Sequence, residues 1–121
     1  MVEVVVVVRE VGSVRPDYSL NFELPEVPRV GSYLSIRRPD HRDPLGEDLV
    51  VRKVWWRLFH PVTAGFASDA EAERKGSLTE IFVECDVALG PYATERWREK
   101  VERYRAAGHE IEDFEVSRRR F

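Results

Sequence analysis

The chain has 121 residues, with 19 basic and 22 acidic side chains and a formal net charge of −3. This length suits a single domain covering residues 1–121 and is too short for two domains of ordinary size. The near balance of charge argues against a protein that binds duplex DNA mainly through net positive charge. A single cysteine excludes an internal disulfide framework, and a hydrophobic content of 43% is typical of a globular protein.

The N-terminal region contains five consecutive valines, Val4 to Val8. This run is far shorter than the roughly 20 apolar residues of a membrane helix, and no basic leader precedes it. We therefore expect a soluble cytoplasmic protein that makes no membrane contact. Valine favours pleated structure, and a strand that is apolar on both faces usually lies inside a sheet. The run predicts an interior strand.

Two further strands and a rigid corner follow. Apolar and polar side chains alternate over residues 18–24, which is typical of a half-buried strand. Pro25 and Pro28 then fix an extended corner that ends at Gly31, where we expect a backbone angle that other residues resist. Residues 32–37 predict a short strand with Leu34 and Ile36 on one face.

The longest predicted strand runs from Leu49 to His60, after a polar loop at residues 39–48. Its alternation divides the side chains into two faces, one with Val50, Val54, Trp56 and Leu58, the other with Leu49, Val51, Lys53, Trp55, Arg57 and Phe59. Because the first set is purely apolar, we expect Trp56 in the core. In the connection at 61–77, Ser68 and Glu71 match a helix capping box, and a mobile loop is the alternative.

The C-terminal third predicts one more long strand and a helix. Residues 78–87 alternate, with Ile81, Val83, Cys85 and Val87 on one face and Glu80, Phe82, Glu84 and Asp86 on the other. Gly90 and Pro91 predict the start of a helix, and Gly108 its end. The helix has one apolar stripe, formed by Ala93, Trp97, Val101 and Tyr104. A short last strand within 109–116 and a flexible tail at 118–121 complete the prediction.

These elements predict an α+β fold with five or six strands. Because the strands come in a row and the helix late, we expect a mainly antiparallel sheet or a small, partly open barrel with one C-terminal helix packed on it.

Motifs for catalysis or metal binding are weak. The triplet His41-Arg42-Asp43 matches the start of a kinase catalytic loop, but Pro44 follows it and no glycine-rich loop is present, so we interpret it as coincidence. Neither the histidines nor Cys85 has the spacing of metal ligands. Cys85 is expected to be a buried structural thiol. We therefore expect no enzymatic activity, no metal and no cofactor.

The acidic ladder formed by Glu80, Glu84 and Asp86 has two interpretations. Carboxylates two residues apart on a strand face are about 7 Å apart, a separation that an inverting glycosidase can use. The interpretation that we favour is structural, because Lys53 and Arg57 face outward on the strand that we expect beside it and would form cross-strand ion pairs with the ladder.

The best candidate binding surface combines aromatic and basic side chains on the same two strands. It consists of Lys53, Trp55, Arg57, Phe59 and Phe82, which we call the aromatic–basic patch. Such a surface is typical of protein recognition or of single-stranded nucleic-acid binding. The alternative is that the C-terminal helix covers this face, with Trp97 and Tyr104 packed on the rings.

Two segments carry a resemblance to other proteins. Leu24-Pro25-Glu26-Val27-Pro28-Arg29-Val30-Gly31-Ser32-Tyr33-Leu34, followed by Val51-Arg52-Lys53-Val54-Trp55-Trp56, resembles small bacterial and prophage proteins. In those proteins a P-x-V/I-G corner leads into a sheet and a V-x-x-V-W strand follows. The resemblance implies a bacterial source and brings no activity or site residue with it.

Two functions from different classes remain. The first is a non-enzymatic interaction module, an adaptor or accessory protein that binds another protein, or a second copy of itself through a sheet edge. The second is a small barrel that binds single-stranded nucleic acid through the aromatic–basic patch.

Overall fold

The computed structural model describes residues 1–13, 15–41, 46–61 and 75–113. In chain order these residues form β1 (Val2–Arg9), β2 (Pro16–Leu24), β3 (Tyr33–Arg37), β4 (Gly46–Phe59), β5 (Ser77–Leu89), α1 (Glu95–Ala106) and β6 (Glu112–Asp113). The strands make one curled sheet in the order β2-β1-β5-β4-β3, with β6 paired to the end of β5. The predicted α+β class, with five or six strands and one C-terminal helix, is confirmed. The sheet is mixed, however, because β1 and β6 both run parallel to β5.

The valine run lies inside the sheet, as predicted. β1 pairs with β2 on one side and with β5 on the other. Val4, Val6 and Val8 are buried on the inner face of the curled sheet, and Val5 and Val7 are half-buried on the outer face. A strand with neighbours on both sides has its backbone groups paired where both neighbours reach it, here at Val5–Val8, and this position suits a continuous apolar run.

The hydrophobic core fills the concave inner face. Its fully buried members come from three strands: Val4, Val6, Val8, Leu49, Val51, Val83 and Cys85. The alternating side chains of β2 and β3, including Phe22 and Leu34, pack against this cluster as predicted. The corner between those strands ends at Gly31, which has a φ of 92°. Most residues resist this angle because of their Cβ, so the glycine allows the chain to turn into β3.

A β-bulge divides β4 and changes its predicted faces. Val51 lies opposite Cys85 and Lys53 lies opposite Glu84, so Arg52 is an extra residue on β4. Because a bulge shifts the alternation by one residue, Leu49 and Val51 lie on the inner face and do not share the face of Lys53. The predicted faces of β4 are therefore wrong for the residues that precede the bulge, Leu49 and Val51 among them. Beyond the bulge the register places Lys53, Trp55 and Arg57 opposite the outward acidic and aromatic side chains of β5, as expected.

The start of β4 was expected to be a loop, and this prediction is wrong for residues 46–48. Gly46, Glu47 and Asp48 are strand residues that pair with β3, and all three are buried. Asp48 is stabilised by two donors, the Ser35 hydroxyl at 2.7 Å and the Gly90 backbone N–H at 2.9 Å. Buried carboxylates persist where donors compensate for the lost water, and a polar sequence does not reveal such donors.

A second polar cluster joins the two edges of the curled sheet. Tyr18 lies on edge strand β2, while Arg38 follows the opposite edge strand, β3. The Arg38 guanidinium lies 4.7 Å from the centroid of the Tyr18 ring, and its Nε is 3.0 Å from Oε1 of Glu47. Burial and the neighbouring Glu47 carboxylate raise the pKa of Tyr18 above its ordinary value. We call these three residues the seam cluster, because they connect strands that share no backbone pairing.

The helix begins later than predicted and packs elsewhere. α1 starts at Glu95, four residues beyond Pro91, because Thr94 is its N-cap and accepts a hydrogen bond from the Trp97 N–H at 3.1 Å. Trp97 and Val101 are buried against Leu89 at the end of β5. The helix ends before Gly108, as expected.

Some expectations lie partly or wholly outside the described residues. They are the capping box at Ser68 and Glu71, most of the kinase-like triplet, and the tail at 118–121. The last strand, expected within 109–116, is described only as far as β6, Glu112–Asp113.

Candidate functional site

The structure brings three members of the aromatic–basic patch together on the outer face of the sheet. Trp55 lies directly opposite Phe82 in the β4–β5 register, and Arg57 lies opposite Glu80. The Arg57 guanidinium is 5.9 Å from the centroid of the Phe82 ring, within cation–π range. A shallow cleft of about 480 Å³ opens here, lined by Val7, Arg9, Pro16, Trp55, Arg57, Phe82 and Glu84.

Lys53 and Phe59 flank this centre along β4. Lys53 lies opposite Glu84, at the end of the patch nearest the bulge. Phe59 lies opposite Ser77, beyond a second irregularity at which Thr79 is the extra residue on β5. The five residues therefore follow one strand pair, with Trp55 and Phe82 at its middle.

The helix does not cover the patch, so the alternative in which Trp97 and Tyr104 pack on its rings is wrong. Trp55 is 52% exposed and Phe59 is 60% exposed, whereas Trp97 is buried at the end of β5, where its indole N–H donates to the Ala88 carbonyl at 2.9 Å. The helix follows β5 after a connection of only five residues, which keeps it close to Leu89. The apolar stripe of the helix was predicted correctly, but the place where it is buried was not.

Trp56 also differs from expectation, because it is 55% exposed and does not belong to the core. It lies opposite Ile81 on the inner side of the sheet, beyond the core cluster, which extends along β4 only to Val54. The face was predicted correctly and the burial was not, because burial requires a second layer of side chains. No described element supplies that layer at this end of the sheet.

A network of ion pairs borders the patch. The Arg9 Nε lies 3.1 Å from Asp86 Oδ1 and 3.9 Å from Glu84 Oε1. Glu84 also accepts a hydrogen bond from the Trp55 indole N–H, which fixes the orientation of that ring. On the other side of Asp86, the Arg52 Nε donates to Oδ2 at 3.0 Å.

The network continues to β6 and β3. The Arg52 Nη2 lies 3.4 Å from Glu112 Oε1, and the Tyr33 hydroxyl donates to Glu112 Oε2 at 2.5 Å. This hydrogen bond raises the pKa of Tyr33 above its ordinary value, and partial burial contributes in the same direction. Arg52 thus joins β4, β5 and β6 from its position in the bulge.

The acidic ladder is engaged in these pairs, which supports its structural interpretation. Glu80 accepts from the Arg57 Nη1 at 3.2 Å, and Asp86 lies between two arginines. Each carboxylate of the ladder therefore has an arginine beside it, as expected for a structural role across neighbouring strands.

Cys85 is buried, as predicted. Its side chain is fully enclosed in the core, and burial raises the pKa of the thiol to about 12. A reactive cysteine needs an accessible, electropositive setting that favours the thiolate, and this position provides neither.

Sequence reasoning did not identify Arg9, Arg52, Tyr33 and Glu112 as neighbours of the patch. Arg52 takes its position from the bulge in β4, which the alternation of side chains did not reveal. The position of Arg9 beside the patch depends on the parallel pairing of β1 with β5, and the order of the strands along the sequence does not reveal that pairing.

Among the described residues, no three His, Cys, Asp or Glu side chains are grouped in a way that could hold a metal ion. Over the same ranges, no helix combines the length and apolar character needed to cross a bilayer. Comparison of the chain with protein-family models, with curated proteins and with solved structures finds no match.

Proposed function

We propose that this chain is a non-enzymatic protein-interaction module, an adaptor or accessory protein, that binds a partner protein through the aromatic–basic patch. The observation that carries this proposal is the exposure of Trp55 and Phe59 on a rigid strand pair. Tryptophan and arginine are the residues most often found at the energetic centres of protein interfaces. The hydrogen bond from Trp55 to Glu84 holds the indole in place before binding, which lowers the entropy lost on association.

The charges of the outer face favour a protein over single-stranded nucleic acid. Phosphate binding requires cations that are free to neutralise it. Arg57 is paired with Glu80, Arg52 with Asp86 and Glu112, and Arg9 with Asp86. A nucleic acid approaching Trp55 would meet these carboxylates at close range. The mixture of rings and paired charges is closer to the composition of a protein interface.

A capture experiment with two matched variants tests the proposal. Trp55→Ala removes the central ring of the patch, and Tyr92→Ala removes a ring that is 80% exposed just before the helix. Proteins captured from lysate by the wild-type chain are quantified against both variants. We expect one partner to be lost with Trp55→Ala and retained with Tyr92→Ala. Equal capture by all three chains would contradict a role for the patch.

A binding titration separates the second candidate function from the first. Fluorescence anisotropy with labelled oligo-dT and oligo-rU at low salt measures the affinity for single strands directly. We expect no saturable binding. Saturable binding that weakens steeply with salt and is abolished by Trp55→Ala would replace the proposal with a nucleic-acid function.

For the setting of this activity we propose the cytoplasm of a bacterial cell. Its support is the sequence resemblance of the Pro28–Gly31 corner and the Val51–Trp55 segment to small bacterial and prophage proteins. Detection of the chain in the cytosolic fraction of a bacterial source would test it.

A further inference from the structure

Among the described residues, the far half of β4 has a free edge. β3 pairs with β4 at Gly46–Val50, and the last backbone bonds from that side join Val51 to Gly31 and Ser32. From Lys53 to Phe59, β5 is the only strand paired with β4 in the described part of the chain. An edge of this kind presents unpaired N–H and C=O groups to a strand that approaches it.

This edge carries apolar side chains on both faces. Trp55 and Phe59 are exposed, and so are Trp56, 55%, and Leu58, 72%. The segment from Lys53 to Phe59 contains no proline to block pairing. Exposed apolar edges of this length promote association, so a protein that keeps one is expected to use it.

We propose that this edge pairs antiparallel with the same edge of a second copy of the chain, with the two-fold axis of the dimer at Trp56. Directly opposite residues of an antiparallel pair lie on the same face of the sheet. A two-fold axis perpendicular to the sheet must therefore pass through a residue position.

The extent of the free edge selects Trp56. It is the midpoint of residues 53–59, so an axis there pairs the whole segment with its copy. An axis at Val54 would bring the partner's Arg57 opposite Val51, whose backbone already pairs with the corner before β3. An axis at Leu58 would extend the pairing to Pro61, which has no N–H to donate.

Charge selects the same residue. With the axis at Trp55, Lys53 would face the partner's Arg57, and with the axis at Arg57 that guanidinium would face its own copy. Like charges directly opposite each other on neighbouring strands destabilise a sheet. With the axis at Trp56, Trp55 lies opposite the partner's Arg57 and Lys53 opposite the partner's Phe59. Both are cation–aromatic pairs, which are favourable.

The apolar surface available fits a specific but reversible dimer. The partner strand covers the side of each ring that faces the edge and leaves its outward surface accessible. A covered aromatic side chain buries roughly 150–250 Å², so covering about half of the exposed parts of Trp55, Trp56 and Phe59 on two chains removes on the order of 300 Å² from water. Leu58 and the newly paired backbone add to this area. The total lies below the area of stable interfaces, about 1,200 Å², and predicts a weak dimer that dissociates on dilution.

The dimer would also enlarge the recognition surface. The axis places the two aromatic–basic patches side by side on one continuous sheet, each Trp55 beside the Arg57 of the other copy. This inference does not depend on the proposed partner binding, because it concerns the edge of β4, whereas partner binding concerns the outer face.

Sedimentation velocity over a wide concentration range tests the association. We expect a reversible monomer–dimer equilibrium for the wild-type chain. Trp56→Lys puts two like charges on the axis, so we expect its dissociation constant to rise by at least about tenfold. Tyr92→Lys changes a ring that is also exposed, 80%, but lies away from the edge, and should leave the constant unchanged. A wild-type chain that stays monomeric, or a Trp56→Lys chain that dimerises as well as wild type, would overturn the proposal.

Single-cysteine crosslinking determines the register. Opposite residues have Cβ atoms about 4.5–5.5 Å apart, whereas diagonal neighbours are about 7–8 Å apart, beyond the reach of a disulfide. Under mild oxidation we therefore expect a linked dimer from Trp56→Cys and none from Trp55→Cys or Arg57→Cys. The native Cys85 is buried and serves as the unlinked wild-type control. Preferential linking through position 55 or 57 would reject the Trp56 axis. A chain that dimerises but captures no partner would contradict only the proposed function. A chain that captures a partner but stays monomeric would contradict only the dimer.

Discussion

Replacing Arg38 by methionine should cost far more stability than its place at the surface end of a strand suggests. Arg38 contacts both carboxylate oxygens of Glu47, with Nε at 3.0 Å from Oε1 and Nη2 at 3.2 Å from Oε2. The side chain of Glu47 is only 3% exposed, so Arg38→Met leaves a buried carboxylate without its cation. Breaking a buried pair in this way costs about 3–5 kcal/mol.

The structure places the expected value near the lower end of that range. The Arg38 side chain is 21% exposed, so water already weakens the pair and can reach Glu47 when the guanidinium is gone. The polar side chain of Tyr18 also remains close to the carboxylate. We therefore expect Arg38→Met to lower the free energy of unfolding by about 3 kcal/mol, and Tyr18→Phe, which removes only the hydroxyl, to lower it by about 1 kcal/mol.

Urea unfolding followed by tryptophan fluorescence measures these values, and a double-mutant cycle tests their origin. Exchanging both partners of a buried ion pair for apolar side chains is often close to neutral. Arg38→Met combined with Glu47→Met should therefore cost less than the two single changes added together, with a coupling energy of about 2–3 kcal/mol. A loss below about 1 kcal/mol for Arg38→Met, or strictly additive single changes, would show that the seam cluster does not hold the edges of the sheet together.

Three further predictions concern the core and the turns. Burial raises the pKa of Cys85 from 9.0 to about 12, so the thiol ionises first in the unfolded chain, and its contribution to stability is fully present below pH 9 and falls from pH 9 towards pH 12. Each pH unit in this range lowers the free energy of unfolding by about 1.4 kcal/mol. In urea titrations at alkaline pH, Cys85→Ala should remove the part of the stability loss that comes from this thiol. Trp97→Phe leaves a buried carbonyl of β5 without its donor, and thermal or urea unfolding should show a loss of about 2–4 kcal/mol; an unchanged midpoint would contradict the packing of the helix. Gly12→Ala should destabilise more than Gly31→Ala, because both glycines have positive φ but a Cβ at Gly12 would lie 2.8 Å from the His109 ring; equal losses in the same assay would refute the contact.

Local alternation predicted most of the sheet correctly. β2 and β3 lie where the alternation of side chains placed them, and β1 lies where its continuous valine run placed it. The long strand β4 followed its pattern only beyond the bulge. A bulge depends on how the partner strand is spaced, and Arg52 is polar enough to be acceptable on either side of a regular strand.

What failed depends on contacts between distant parts of the chain. Glu47 and Asp48 look like loop residues because the donors that stabilise them, Arg38, Ser35 and Gly90, come from other elements. The residues of the aromatic–basic patch could be named from one strand pair. Their exposure could not, because it depends on where α1 packs.

The extra residue in β4 has a consequence for chain length. Val51 and Lys53 lie opposite Cys85 and Glu84, which are neighbours on β5, so deletion of Arg52 would leave a regular ladder with every later side chain on its present face. Deletion of Val54 would instead turn Lys53 inward unless the strand rearranged. A sequence one residue shorter at the bulge would keep the same patch, and the strand can tolerate loss of a residue there far better than a few positions further along.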